Sequence, residues 1–460
     1  MKKYILLLFL MCLALTVSGA ICKKSGQMPA EVTLKYWSVD LDADTVNAII
    51  KTFEAQYPYV DIQFTKLNAD EYEQALISGW AKDQGPDIFS FPNTYTKKYY
   101  DYIYPLPARI TTSTVSEKST LGKKETVVQS VTQNTLSPQE MGNQFADTVY
   151  TDAVFPHQAA KEKIKTEKIF GIPLAMDTLA LYWNKDLLNQ KTIALPAQNW
   201  QAIADHAKEI TALDKEGNII RSGIAMGTTD NTPHYFDIMS VLMMQFGATM
   251  ANEEGYVTFD KSSAEDKNRV PAMEALDFYV KFAQDKWETY NWNETKNNAL
   301  EEFAAGNIAY YLGYHQEMAQ IKQLAPTLNF DVAPLPQINT VSQINYPSYW
   351  LESVSANSKN QHLAWAFVQY LTNETNAGKY LTTTKQPASR RALINEQLAD
   401  YELATFAEQA LTAKSWYHGT NPQEAINLFK LMIDNARLET FTLEEIIRDT
   451  AAKVQLTVNP

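Results

Sequence analysis

Val32, Leu34 and Tyr36 alternate with Thr33 and Lys35, a period of two that predicts a strand with one buried face. Val46, Ile49, Ile50, Phe53 and Tyr57 then recur at helical spacing, with Asp44 as the expected cap and Pro58 as the stop. Ile62 and Phe64 mark a second strand. Asp70 is expected to cap a helix carrying Tyr72, Leu76 and Trp80, and Gly85-Pro86-Asp87 turns the chain into a third strand at Ile88-Phe89. Strand and helix alternate, which predicts α/β architecture with parallel pairing. The period is lost over residues 111–135, rich in Ser, Thr, Lys and Gln, and this stretch reads as an exposed loop or a poorly ordered excursion. Ser137-Pro138-Gln139-Glu140 is a capping box with Pro at the first helical position, opening a helix with Met141, Phe145 and Val149. The charged run 161–168 reads as a solvated helix end or hairpin. Helices dominate later: one from Pro271 with Met273, Leu276, Val280 and Ala283, then others over 298–305, 360–372, 402–414, 424–435 and 443–452. There is no internal repeat.

The N-terminus breaks this pattern. Lys2 and Lys3 precede an apolar run over 4–17 and the small residues Ser18, Gly19 and Ala20, the layout of a secretory signal peptide. The run is short for a membrane span, which needs about 20 residues. Two processing readings stand. Cleavage follows Ala20, or Cys22 becomes the lipid-bearing first residue of a bacterial lipoprotein, although Ile21 stands where Gly or Ala is usual. Cys12 lies inside the apolar run, so Cys22 has no partner for an intramolecular disulfide after export.

The 460 residues suggest two or three globular units. A formal net charge of −13 argues against a nucleic-acid partner, which needs a basic footprint. Most of the 25 Tyr, 19 Phe and 9 Trp are expected to pack in cores, and the minority on loops suits the C–H faces of sugars. The six His are scattered, and there is no metal-ligand spacing, phosphate loop, dinucleotide fingerprint or nucleophile elbow, so neither metal nor cofactor is expected. The acidic run from Asp40 to Asp44 is no calcium loop, because Thr45 and Lys51 stand where Gly and Glu would be required. A glycosidase needs only two carboxylates, so an exported glycan-degrading enzyme stays open on composition.

Four ordered stretches carry a resemblance. Leu34-Lys35-Tyr36-Trp37 precedes the helix ending Phe53-Glu54-Ala55-Gln56-Tyr57-Pro58, and Gly85-Pro86-Asp87-Ile88-Phe89 follows. Gly171-Ile172-Pro173 leads to Asp177-Thr178-Leu179-Ala180-Leu181-Tyr182-Trp183-Asn184-Lys185-Asp186-Leu187. Phe303-Ala304-Ala305-Gly306-Asn307-Ile308-Ala309 leads to Ala333-Pro334-Leu335-Pro336. Together they resemble family 1 extracellular solute-binding proteins of ABC importers, the group that includes maltose-binding protein. Trp183 and Tyr310 depart from the family's usual Tyr and Met.

The resemblance implies a two-lobe, periplasmic-binding-protein-like α/β fold with discontinuous lobes, a hinge and an interlobe ligand cleft. It implies a signal peptide over 1–21, a tether over 22–30, an N-lobe from 31–173 and 315–355, and a C-lobe from 177–310 and 358–460. The chain would leave the first lobe after Pro173, return near Gly313 and cross again near Asn357. The implied function is non-enzymatic: a sugar or oligosaccharide bound in the cleft and delivered to ABC permease subunits at the outer face of the cell membrane, with Cys22 as a lipid anchor, or in the periplasm. A polyol, glycerophosphodiester or polyamine is the alternative ligand, and a surface adhesin or receptor the alternative role.

The expected ligand-binding residues are Trp37, Asp40, Phe91, Asn93, Asp177, Tyr314, Tyr349, Trp350 and Arg390. Five have a plainer reading: core packing for Trp37, turn chemistry for Asp40 and Asn93, a hinge salt bridge for Asp177 and a surface salt bridge for Arg390. Asp177 is the leading polar candidate, because a carboxylate accepts two sugar hydroxyls in charge-assisted bonds. Trp350 is the leading stacking candidate. Tyr235, Trp287, Trp292 and Trp416 are weaker ones.

Overall fold

The computed structural model describes residues 23–25, 28–120, 123–158 and 164–458. The signal segment and Cys22, with its cleavage or lipidation, lie outside the described residues. Two five-stranded mixed sheets organise the chain. In the first, Val32–Ser38 pairs in parallel with Val60–Lys66 and Ile88–Pro92, and Trp350–Val354 runs antiparallel between Ile88–Pro92 and Ile172–Pro173. In the second, Ile308–Gly313 lies between Ile219–Ile224 (parallel) and Ala180–Asn184 (antiparallel), and Phe330–Ala333 pairs beyond Ala180–Asn184. Each sheet has its own core. Leu34, Tyr36, Phe53, Phe89, Leu351 and Phe367 share one, and Leu181, Ile203, Met239, Leu276, Phe429 and Ile433 share the other. Two lobes of discontinuous sequence result.

The parallel opening and the capping box formed as expected: Ser137 Oγ accepts the Glu140 N–H, and the Glu140 carboxylate accepts the Ser137 N–H at 2.8 Å. Other boundaries differ. Asp42, not Asp44, caps the helix Ala43–Gln56, its Oδ1 accepting the Thr45 N–H at 2.9 Å. Asp44 instead sits in the first turn, where a negative charge suits the helix dipole. Asn68 stands at the cap position of Ala69–Ala81, and Asp70 is likewise in the first turn. The expected helix after Ser137 breaks in two, Pro138–Gln144 and Asp147–Ala153. Between them Phe145 bridges to Arg390 and the Ala146 N–H bonds to Ser389 O at 3.1 Å.

The excursion after Ile110 is a long antiparallel hairpin, Arg109–Thr120 with Lys123–Asn134, and Lys23–Ser25 adds to its Lys123–Asn134 strand. Both of its faces are largely polar, so no apolar period announces it. The backbone ladder and β-branched Thr and Val hold it. Its base is pinned to the first lobe by Thr111 N–H to His362 Nδ1 (3.1 Å) and Ser113 N–H to Tyr59 Oη (3.2 Å). Of the charged run, residues 166–168 lie in a hairpin, Val154–His157 with Thr166–Ile169, and 161–163 lie outside the described residues.

The lobe division also differs from the expected one. Phe330–Ala333 pairs with Ala180–Asn184, so the stretch 315–345 stays with the second lobe. The helix Gln361–Leu371 packs on the first core, Phe367 meeting Phe53 and Tyr36 edge-on at 5.2 and 6.0 Å. Leu393 and Ile394 join it there. The chain therefore returns at 346–349, where Pro347–Ser348 pairs with Asp177–Thr178, and crosses last through Ala404–Ala410, whose Ala407 joins the first core while Phe406 joins a third cluster, with Tyr182, Phe303 and Tyr311 of the second lobe. The first passage between lobes runs from Met176, still in the first core, to Leu179 in the second.

Candidate functional site

A cavity of about 70 Å³ lies where the hinge strands meet both lobes. Asp40 and Leu41 reach it from the loop after the first strand, Trp350 and Glu352 from the strand Trp350–Val354 with Tyr349 just before it, and His315 and Gln316 from the second lobe. Leu174, Ala175, Asp177, Ser348, Gln386 and Pro387 close it from the hinge.

Asp177 sits in the two-residue pairing with Ser348. Its carboxylate accepts the N–H groups of Thr178 (2.8 Å), His315 (3.1 Å) and Gln316 (3.2 Å), so it occupies the start of the helix Gln316–Leu324. Burial pushes its pKa up to about 7, against the pull of those three donors, and the Glu317 charge adds to the rise. Glu352 is buried on the first sheet. Tyr36 Oη (2.5 Å) and Ser90 Oγ (2.6 Å) both donate to its Oε2, and burial pushes it up to about 7 as well. Burial also raises Asp40, with the Lys66 charge opposing. Burial holds His315 down to about 4, so its imidazole is neutral at pH 7. The cavity thus carries three carboxyl groups and one neutral imidazole, and among the described residues no Lys or Arg lines it.

Of the nine expected residues, Asp40, Asp177, Tyr349 and Trp350 come together on this cavity. The other five do not line it. Trp37 packs its indole toward Gly79, on the face opposite Tyr36, because neighbours on a strand point to opposite sides. Phe91 is fully buried in the first core. Asn93 is buried too, its side chain donating to Asp152 Oδ2 at 2.8 Å and its N–H to Tyr349 O at 3.0 Å. Tyr314 is in the second core, its hydroxyl donating to Asp237 Oδ2 at 2.8 Å. Arg390 is not a surface ion pair. Its guanidinium stacks on Phe145 (4.2 Å to the ring centre) and donates to Thr372 O (2.6 Å) and Gln144 Oε1 (2.7 Å) inside the first lobe. Trp292 and Trp416 are core residues, and Trp287 lies on the surface under Lys281.

Even Tyr349 has its hydroxyl committed to Asp152 Oδ2 at 2.6 Å. Trp350 is half-buried and meets Tyr72 edge-on at 6.0 Å, which leaves it as the aromatic ring of the cavity. Sequence reasoning missed Glu352, Gln316 and Gln386. Glu352 did leave a signal: it is the lone charge within the strand Trp350–Val354, and a charge inside a buried strand has to have a purpose there.

Among curated relatives, a Brucella abortus protein named for binding alone is 24% identical over 205 residues, 44% of this chain and 46% of that protein. The chain thus spans about half the length of the first curated relatives it matches. The Bacillus subtilis galactooligosaccharide-binding protein is 21% identical over 425 residues, 90% of this chain and 86% of that one. The cyclic α-maltosyl-1,6-maltose binding protein of Arthrobacter globiformis superposes with a TM-score of 0.71 at 15% identity, over 93% of this chain and 99% of that one, a likeness of fold. The profile of a family of binding proteins rather than enzymes matches residues 48–405, most of the chain. With its two lobes and its cavity at the hinge, the chain belongs to the bacterial extracellular solute-binding protein family.

Proposed function

We propose that the chain is the extracytoplasmic binding component of an ABC importer, that it takes a sugar or oligosaccharide between its lobes, and that it hands this ligand to membrane permease subunits. The observation that carries the reading is the grouping of Asp40, Asp177, Glu352 and Trp350 on one interlobe cavity. Carboxylates accept paired hydroxyls and an indole covers an apolar sugar face, which is the chemistry a carbohydrate needs. The relative from Bacillus subtilis, named for galactooligosaccharide, and the structural neighbour, named for a cyclic maltosyl sugar, support the same ligand class. A cavity of 70 Å³ has room for a few waters, about 10–15 Å³ each, so a sugar ring enters only when the lobes part about the hinge. Lipid anchoring through Cys22 belongs to the same proposal.

The test is a thermal-shift screen of the protein lacking residues 1–21 against mono- and oligosaccharides, polyols and other polar solutes. A true ligand at 100 times its Kd adds about 2.7 kcal/mol of stability. A shift with one sugar class, without consumption of the sugar, supports the reading. A shift with a non-sugar solute alone overturns the ligand class.

A further inference from the structure

The cavity is unbalanced in its hydrogen-bonding chemistry. Its acidic side chains are the carboxyls of Asp40, Asp177 and Glu352 and the Tyr349 phenol, which burial keeps protonated, with His315 held neutral by burial. Gln386 adds a second kind of acceptor: its Oε1 is buried and has no hydrogen-bond partner among the described residues. Glu352 takes both of its donors on Oε2, and no hydrogen bond reaches Oε1 from the described residues. The Asp40 carboxylate likewise accepts no hydrogen bond from them, and Lys66, whose charge bears on it, lies outside the cavity lining. A buried acceptor without a donor costs free energy that a ligand hydroxyl or ammonium recovers. An anionic ligand does the reverse, because it sets like charges side by side in a desolvated site.

Resting on the carbohydrate reading above, we propose that Asp40, Asp177 and Glu352 form a charge filter, so that the cleft accepts neutral or amino-bearing carbohydrate and rejects sugars carrying a carboxylate or phosphate. Specificity then comes from an element that repels the wrong ligand as much as from contacts to the right one. The filter strengthens as pH rises through 7, since Asp177 and Glu352 both lose their protons there and a protonated carboxyl can still donate to an anion.

The experiment is calorimetric titration with α- and β-linked glucose and galactose trisaccharides, each beside its C6-oxidised uronate form and its 6-amino form, at pH 6 and pH 8. The expected result is that a neutral trisaccharide binds, that its amino form binds as well, and that its uronate form is about a hundredfold weaker at pH 8, with a smaller gap at pH 6. Asp40→Asn and Glu352→Gln each narrow the gap by about tenfold; two variants are used so that a folding defect in one leaves the other to decide. A uronate within tenfold of its neutral parent at pH 8 overturns the filter while leaving the carbohydrate reading intact. If no form of any trisaccharide binds, the carbohydrate reading falls and the filter falls with it.

Discussion

Asp152 and Glu352 are both fully buried carboxylates of the first lobe, yet they do opposite things. Asp152 is saturated. Asn93 Nδ2 (2.8 Å), Tyr349 Oη (2.6 Å) and Thr148 Oγ1 (3.5 Å) reach its Oδ2, and Ser415 Oγ and His418 Nε2 (2.9 Å) reach its Oδ1. Ser415 and His418 flank Trp416 and Tyr417 of the second core, so Asp152 ties one lobe to the other. Glu352 has two donors, both on one oxygen, and faces the cavity. A carboxylate whose capacity the protein fills is a strut. One left short of donors in a cleft is a receptor for hydrogens that come from elsewhere.

The sharpest way to break this comparison is Asp152→Ala. It strands several buried donors at once and should cost about 3–5 kcal/mol in urea unfolding. A loss below about 1 kcal/mol would erase the distinction. Glu352→Gln should behave in the opposite sense. The folded carboxyl titrates near 7 against an ordinary 4.5, so the folded state keeps a proton that the unfolded chain gives up between those values. Stability therefore falls as pH rises through that window, by on the order of 3 kcal/mol for this group. The Gln variant loses this part of the slope and is the more stable protein at pH 8, as melting temperatures from pH 4 to 8 will show; Asp177 keeps a similar slope of its own.

Trp350→Ala sharpens the receptor side. Sugar affinity should weaken by about 1–3 kcal/mol in a titration with whichever sugar stabilises the parent, with little change in melting temperature. An unchanged affinity removes Trp350 from the site. The smallest effect is expected of Ser415→Ala, which takes one donor from a carboxylate that keeps four others. It should lower stability by about 1 kcal/mol and leave sugar affinity unaltered. A large loss of affinity there would mean that the strut also sets the shape of the cleft.

The first strands and helices were readable because each buries one face, and burial writes a period of 2 or 3.6 into the chain. The hairpin at Arg109–Thr120 and Lys123–Asn134 was not, because it buries little and is held by its ladder. The lobe crossings were misread at Gly313 and Asn357 for a related reason. Helix Gln361–Leu371 is apolar in either lobe, and only Phe367 meeting Phe53 decides which core it joins. The site divides along the same line. Asp40, Asp177, Tyr349 and Trp350 lie beside strand ends and hinge turns that the pattern marks. Arg390 and Asn93 stand at equally marked places and turn inward.

The amino-acid sequence by itself determined the α/β elements and membership of a binding family, since these depend on local periodicity and on ordered short motifs. Only the tertiary structure decided which carboxylates face the cleft and which brace the lobes. A carboxylate's role is set by the donors around it, and those of Asp152 come from residues 59 to 266 positions away in the chain, Thr148 apart. No local pattern records such partners, because they meet only when distant segments of both lobes fold together.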